Sequence, residues 1–152
     1  DYLLGRVRGG GLATRPFSLV PKRAGTFPSV EAANKLINHW STPVAKDGYL
    51  YGMFSFKEYG KGALRCVELA SGEERWAKEG FGPGNVILVG NTLVALSDAG
   101  DVVLVEAEHG AYKELARADV LSGKCWSSPA FSDGALYVRS TREGVRLDLG
   151  SK

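Results

Sequence analysis

The chain has two histidines, His39 and His109, and two cysteines, Cys66 and Cys125, as candidate metal ligands and nucleophiles. A metal centre needs three or four converging ligands, and the sequence contains no HxH, HExxH or CxxC pattern. We therefore expect the histidines to be polar residues of turns and strand entrances. The cysteines are expected to be small apolar side chains in strands, although a disulfide between them stays open.

Motifs for nucleophilic catalysis and for phosphate binding are weak. Ser127 and Ser128 precede a proline, and no GxSxG elbow surrounds any serine. The stretch SGKC, residues 122–125, lacks the GK[ST] ending and the upstream glycine of a phosphate loop. The glycines and arginines of GRVRGGG, residues 5–11, could hold an anion, but a flexible turn between strands is the simpler interpretation.

Three carboxylates, Glu68, Glu106 and Asp148, occupy one recurring place in the sequence. A catalytic acid–base pair would usually occur once, in one cleft, whereas recurrence favours an architectural role. We expect these side chains to accept hydrogen bonds from backbone N–H groups in turns. No catalytic, cofactor-binding or metal-binding residue is therefore predicted.

Composition sets the broad class of protein. The 152 residues are 44% hydrophobic and include 20 glycines, which predicts a packed core and many tight turns. The net charge of +2 argues against a nucleic-acid-binding surface, and no apolar run approaches the roughly 20 residues of a membrane span. Because the chain begins with Asp1 and shows no signal peptide, we expect a processed product or a fragment.

The sequence repeats itself at a spacing of 43 residues. Turn dipeptides recur at this spacing as Asp47-Gly48, Gly90-Asn91 and Asp133-Gly134. WSTPVAKDGYLYG begins at Trp40 and WSSPAFSDGALYV at Trp126, two repeat steps later. The middle copy opens on FGPGN instead, so its entrance is degenerate.

Each repeat contains short apolar stretches separated by turn signals, which predicts four antiparallel strands. The fourth strand of the middle copy is expected at 112–116. A four-stranded unit of about 40–45 residues is typical of a propeller blade, and a sandwich would not require a fixed repeat. We predict an all-β fold, a partial β-propeller of about three and a half four-stranded antiparallel blades. The expected units are residues 1–38 (a partial blade or closing segment), 39–80 (a blade), 81–124 (a blade) and 125–152 (a C-terminal partial blade).

Residues 1–38 are ambiguous. Val30, Ala33 and Ile37 have helical spacing after a possible cap at Ser29. The repeat spacing instead favours a strand that closes a partial blade.

The stretch CVELASGEERW, residues 66–76, resembles the tryptophan-docking motif AxDxxTGKxxW of quinoprotein-type propellers. Gly72 and Trp76 match this motif, and the second copy keeps Gly110 but has Glu114 in place of the tryptophan. In that family the tryptophan packs against the neighbouring blade near the turn glycine. The resemblance implies that Trp40, Gly72, Trp76, Gly110 and Trp126 are structural blade-docking residues.

Residues 38–149 as a whole are similar to the C-terminal blades of PQQ-like propellers, the family of the outer-membrane assembly lipoprotein BamB. The resemblance implies a non-catalytic scaffold or protein-binding module that works in the periplasm without a cofactor. Complete rings of this family have seven or eight blades, so we expect a protein partner or a second copy to complete the ring. The alternatives are a fragment of a quinoprotein dehydrogenase, which would require PQQ and Ca²⁺, and a carbohydrate- or polyanion-binding propeller. The ending LDLGSK resembles a natural C-terminus of this family, so we expect any missing blades to lie upstream.

Overall fold

A computed structural model of the chain describes residues 40–54 and 58–149. This part of the chain forms eleven β-strands in three antiparallel sheets and contains no helix. The first sheet consists of β1 (Val44–Lys46), β2 (Tyr49–Met53), β3 (Leu64–Glu68) and β4 (Glu74–Lys78). The second consists of β5 (Asn85–Val89), β6 (Thr92–Leu96), β7 (Asp101–Glu106) and β8 (Glu114–Asp119). The third consists of β9 (Ala130–Ser132), β10 (Ala135–Arg139) and β11 (Gly144–Asp148).

Each sheet is a meander in which strands that are consecutive in the chain are paired. The first two sheets have four strands and the third has three. Three consecutive meanders that pack face to face are blades of a partial β-propeller, so the predicted fold class is confirmed. The predicted partial blade at residues 1–38 lies outside the described residues. Within the described part, no helix has the length and apolar character needed to cross a membrane.

The turn dipeptides that mark the repeat connect the first two strands of each sheet. Asp47 and Gly48 have φ angles of 51° and 85°, and Asp133 and Gly134 have φ angles of 49° and 76°. Positive φ at both central residues is the pattern of a type I′ hairpin, whose twist matches that of the paired strands. Of the two central residues of the Gly90-Asn91 turn, only Gly90 has positive φ, so this turn belongs to a different type.

The fourth strand of the middle repeat is the main correction to the predicted elements. It begins at Glu114, not at Tyr112, and it ends at Asp119. Because β7 ends at Glu106, residues 107–113 form the connection between the two strands, and the register of the pair shifts between Leu104 and Val105. The first sheet has the same irregularity between Cys66 and Val67.

The core consists of two layers, one on each side of the second sheet. We call the face that each sheet turns toward the following sheet its front face, and the opposite face its back face. Sheets alternate their side chains between faces, and here both faces of the second sheet are buried. Its back face packs against the first sheet through Leu93, Ala95, Val103 and Val105. Its front face packs against the third sheet through Val94, Leu96 and Val102.

Candidate functional site

Trp76 in β4 fills the junction between the first and second sheets. Its side chain is only 9% exposed, and its ring centroid lies 5.9 Å from that of Tyr51 and 5.6 Å from that of Tyr112. The indole Nε1 donates a hydrogen bond of 2.9 Å to the backbone carbonyl of Glu108, between β7 and β8. Trp76 therefore joins one blade to the next by packing and by a hydrogen bond.

The two turn glycines, Gly72 and Gly110, serve different local purposes. Gly72 has a φ of 75°, and its N–H donates to the carbonyl of Glu68 at 2.8 Å. Gly110 does not have positive φ, and its N–H donates to the carboxylate of Glu108 at 3.1 Å. This bond and the one from the N–H of His109 hold the pKa of the Glu108 carboxyl below its ordinary value.

The recurring carboxylates do not share the role that their spacing predicts. Glu68 accepts a hydrogen bond of 2.5 Å from the Ser71 hydroxyl, and Glu106 pairs with Lys113 at 2.6 Å. Asp148 pairs with Arg146 at 2.7 Å. Among the described residues, none of the three accepts a bond from a backbone N–H, so that prediction is wrong.

The two entrance tryptophans meet although a whole repeat separates them. The ring centroids of Trp40 and Trp126 lie 5.2 Å apart, with planes inclined by 54°. The Nζ of Lys124 lies 4.9 Å from the Trp126 centroid, which is a cation–π distance. Because Trp126 is still 40% exposed, it presents an aromatic surface beside this cation.

A polar contact joins the entrances of the second and third sheets. Asn85 is 2% exposed, and its Nδ2 donates to the backbone carbonyl of Trp126 at 3.1 Å. Its Oδ1 accepts from the Ser128 hydroxyl at 3.4 Å. Asn85 and Ser128 are 43 residues apart, so this bond connects equivalent positions of neighbouring repeats.

Asp98, between β6 and β7, contacts all three repeats. Its carboxylate accepts a hydrogen bond of 3.1 Å from the backbone N–H of Gly60. Its own backbone N–H donates to the carbonyl of Phe81 at 3.0 Å, and its backbone carbonyl accepts from the N–H of Cys125 at 3.1 Å. Burial raises the pKa of this carboxyl, and the hydrogen bond from Gly60 partly opposes the rise. These bonds give Asp98 a structural position at the blade junctions.

An open groove of about 510 Å³ lies beside the Gly60 loop. Glu58, Tyr59, Lys61 and Glu79 line it. Its lining combines acidic and basic side chains with the aromatic ring of Tyr59.

The SGKC stretch is not arranged as a phosphate loop. The backbone N–H and the hydroxyl of Ser122 both donate to the Glu143 carboxylate, at 2.8 and 2.7 Å. The donors that would bind a phosphate therefore already hold a carboxylate of the same chain.

The cysteine thiols are separate and buried. Cys66 lies between the first two sheets and Cys125 between the second and third, and both are free thiols. Burial raises the pKa of the Cys66 thiol to about 11 and also raises that of Cys125. Both groups are therefore neutral thiols near pH 7, which makes them poor nucleophiles.

Metal ligands do not converge in the part of the chain that the structure describes, where no group of three His, Cys, Asp or Glu side chains could hold an ion. His109 stacks on Tyr49, with ring centroids 4.3 Å apart and planes 4° from parallel. His39 lies outside the described residues, as do residues 5–11.

The front face of the third sheet is open. Tyr51, Val94 and Tyr137 occupy equivalent positions, 43 residues apart. Tyr51 and Val94 are each 1% exposed, but Tyr137 is 44% exposed. Met53 and Leu96 are fully buried, whereas Arg139 in the same position is exposed. This face therefore has the position of a blade junction but carries polar, exposed side chains.

Comparisons with known proteins do not assign the chain to a family. No family model matches the chain, and no curated protein is significantly similar to it. Solved structures that resemble it include the computationally designed Ika8 protein (15% identity, 63% of this chain, 28% of that one, TM-score 0.49). BamB from Moraxella catarrhalis matches at 16% identity over 70% of this chain and 41% of its own, with a TM-score of 0.47. The designed Ika4 protein matches at 11% identity over 76% and 96% of the two chains, with a TM-score of 0.37.

The chain spans less than half the length of the first two of these structures. At such low identity and TM-score, the likenesses carry no functional information. The fold class rests on the three sheets of the chain itself.

Sequence reasoning missed the arginine-bearing front face of the third sheet. The sequence does contain a signal for this face. Positions 53, 96 and 139 are equivalent in the repeat, and they hold Met53, Leu96 and Arg139. A charged residue at a repeat position that is otherwise apolar marks the blade whose face is not covered in the same way. The junction roles of Asp98 and Glu108 have no comparable signal.

Proposed function

We propose that the chain is a non-catalytic module of a PQQ-like β-propeller and acts as a scaffold or protein-binding domain. The observation that supports this is the open front face of the third sheet, where Tyr137 is 44% exposed at a position that is 1% exposed in both preceding sheets. A half-exposed tyrosine beside an exposed arginine is typical of residues that dominate protein interfaces.

The dehydrogenase alternative requires a quinone and Ca²⁺ held by converging oxygen ligands. In residues 40–54 and 58–149 no cluster of acidic or other ligating side chains fits such an ion. Phenolic and thiol groups of the core, such as Tyr51 and Cys66, are buried at 1% and 0% exposure and face the blade junction. The described residues therefore offer a contact surface more readily than a reaction centre.

Two further parts of the proposal come from the family resemblance. We propose a location outside the cytoplasm, and a ring completed either by a second copy or by further blades of a longer protein. Either arrangement would leave some blade faces for contacts with other proteins.

Site-specific photo-crosslinking tests the protein-binding role. A photoreactive residue placed at Tyr137 is expected to give one discrete adduct, whereas the same residue at Leu69, which is 49% exposed directly after β3 in the first sheet, is not. The purified partner should then bind the chain, and Tyr137→Ala should weaken binding by about tenfold. Crosslinking that is equal at both positions would contradict the proposal.

The non-catalytic part of the proposal needs its own assay. The chain would be incubated with PQQ and Ca²⁺, and alcohol- or aldehyde-dependent dye reduction would be measured. We expect no turnover above the level of free PQQ. Saturable turnover would overturn the non-catalytic assignment in favour of the dehydrogenase.

A further inference from the structure

The third sheet lacks, among the described residues, the outer strand that completes the other two. In the first sheet the N–H of Glu68 donates to the carbonyl of Glu73 at 2.8 Å, where the chain enters β4. In the second sheet the N–H of Glu106 donates to Lys113 at 3.0 Å, just before β8. Asp148 has the equivalent position in β11, at an edge that has no fourth strand.

The hydrogen-bond register shows which backbone groups of β11 are available. Ser140 donates to Glu143 at 2.8 Å and Leu149 donates to Gly134 at 3.0 Å, so these two pairs are hydrogen-bonded pairs of the β10–β11 ladder. Hydrogen-bonded and non-hydrogen-bonded pairs alternate in an antiparallel ladder. The backbone groups that point away from β10 therefore belong to the residues Gly144, Arg146 and Asp148.

A fourth strand at this edge would have one side facing the second sheet. There, Ala116 and Ala118 lie opposite Leu104 and Val102 in the β7–β8 ladder and share the front face with them. Both alanines are exposed, in contrast to Trp76 in the first sheet. Small exposed alanines leave room for apolar side chains of an added strand.

The other side of such a strand would share the front face of the third sheet with two arginines. Arg146 lies directly opposite Tyr137 in the ladder, and Arg139 is two residues further along β10. Arg146 pairs with Asp148 at 2.7 Å, whereas Arg139 has no carboxylate within salt-bridge distance among the described residues. An acidic side chain on the added strand would complement these arginines.

We propose that β11 pairs with an extended segment of a partner protein in which acidic side chains alternate with apolar ones. The apolar side chains would cover Ala116 and Ala118, and the acidic ones would contact Arg139 and Arg146. This is β-strand addition, in which the backbone provides affinity and alternate side chains provide specificity. The inference rests on the proposed protein-binding function and names the chemistry of the bound segment.

A second copy of the chain is a weaker candidate for this surface. Head-to-tail docking would bring the back face of its first sheet onto the third sheet. The side chain of Val67, which lies opposite Leu50 on that back face, is only 2% exposed, so docking there would bury little further apolar surface of this residue.

Three synthetic peptides of equal length test the proposal with the full chain. One alternates Val with Glu, the second Val with Lys, and the third Val with Thr. We expect the Glu peptide to bind at least about tenfold more tightly than the Lys peptide, and its affinity to fall as salt rises. In hydrogen exchange, the amides of Gly144, Arg146 and Asp148 should exchange rapidly in the free chain and become protected with this peptide.

Two pairs of variants separate the side-chain and backbone contributions. Arg146→Gln should lower affinity for the Glu peptide by about tenfold, and Arg75→Gln, on the outer strand of the first sheet, should not change it. Gly144→Pro removes an outward N–H and should weaken binding of all peptides. Gly144→Ala is its control, since an added Cβ would find its nearest neighbours 3.8 Å away.

Each outcome has a distinct meaning. Equal binding of the Lys or Thr peptide, with the same protection of β11, would overturn the acidic class while leaving the protein-binding function in place. Protection of the Gly144, Arg146 and Asp148 amides in the free chain at all concentrations would also overturn the proposal, because the chain itself would then cover the edge. Absence of binding by all three peptides would overturn the inference, and the crosslinking at Tyr137 would still decide the proposed function.

Discussion

The indole Nε1 of Trp76 and the backbone carbonyl of Glu108 lie 2.9 Å apart across the junction of the first two sheets. The same indole ring packs between Tyr51 and Tyr112, at centroid distances of 5.9 and 5.6 Å. One side chain thus provides both apolar burial and a directional bond between blades. The stability of this junction should therefore depend strongly on Trp76.

Replacing Trp76 by Ala is expected to lower the free energy of unfolding by about 3–5 kcal/mol, because it opens a cavity between two sheets. Trp76→Phe keeps much of the packing and should lose only about 1–2 kcal/mol, the contribution of the hydrogen bond and part of the ring. Urea unfolding would measure both values. Trp126→Ala is the control, since 40% exposure predicts a smaller loss. Similar losses for Trp76→Ala and Trp126→Ala would contradict the assigned role.

The Cys66 thiol predicts a pH dependence of stability in the alkaline range. Burial raises its pKa from 9.0 to about 11, so the folded chain favours the neutral thiol. The stability that this group contributes is complete below pH 9 and is lost as pH rises through 11. We expect a falling free energy of unfolding over this range and a shallower fall in Cys66→Ala. The same slope in both proteins would refute the effect.

Both thiols should also resist chemical labelling in the folded state. Cys66 and Cys125 are each 0% exposed, and the neutral thiol is a weak nucleophile. At pH about 7.5, iodoacetamide should label neither residue until urea unfolds the chain. Rapid labelling of Cys125 alone would show that the junction of the second and third sheets opens locally.

Local sequence patterns predict most of the strands. Alternation of apolar and polar residues and the turn dipeptides Asp47-Gly48 and Asp133-Gly134 are short-range signals, and the strands that they predict are present. The start of β8 was predicted two residues too early because it depends on where pairing with β7 ends, and the register of that pairing shifts between Leu104 and Val105. Such a shift has no signature within one strand.

Contacts between repeats could not be predicted in the same way. The bond from Trp76 to Glu108 and the bonds of Asp98 use backbone atoms of distant segments, whose positions depend on how the sheets pack. The open face at Tyr137 is different, since comparing positions 53, 96 and 139 would have shown an arginine at an otherwise apolar place. Comparing the repeats thus detects that the burial of this position changes in the third sheet.

Gly84 should tolerate no side chain. A Cβ at this position would lie 2.1 Å from the backbone carbonyl oxygen of Leu96 and 2.8 Å from the sulfur of Met53. We expect Gly84→Ala to lower the free energy of unfolding by at least about 3 kcal/mol, because a rigid backbone atom cannot move away. Gly110→Ala is a matched control, since its nearest contact would be 3.7 Å away at the Glu108 carboxylate. Thermal unfolding of both variants would measure the difference, and equal melting temperatures would exclude this close packing.

The carboxyl of Asp98 predicts a second pH dependence, on the acidic side. Burial raises its pKa, so folding favours the protonated carboxyl relative to the unfolded chain. The stability that this group contributes is therefore lost as pH rises through its pKa in the folded chain. Asp98→Asn removes the titration while its side-chain oxygen can still accept the N–H of Gly60. Between pH about 4 and about 7, the stability of Asp98→Asn relative to the natural chain should therefore increase. Asp119→Asn, on the exposed strand β8, should show no such trend. If Asp98→Asn instead loses stability relative to the natural chain over this range, the charged carboxylate stabilises the junction and burial does not dominate its energetics.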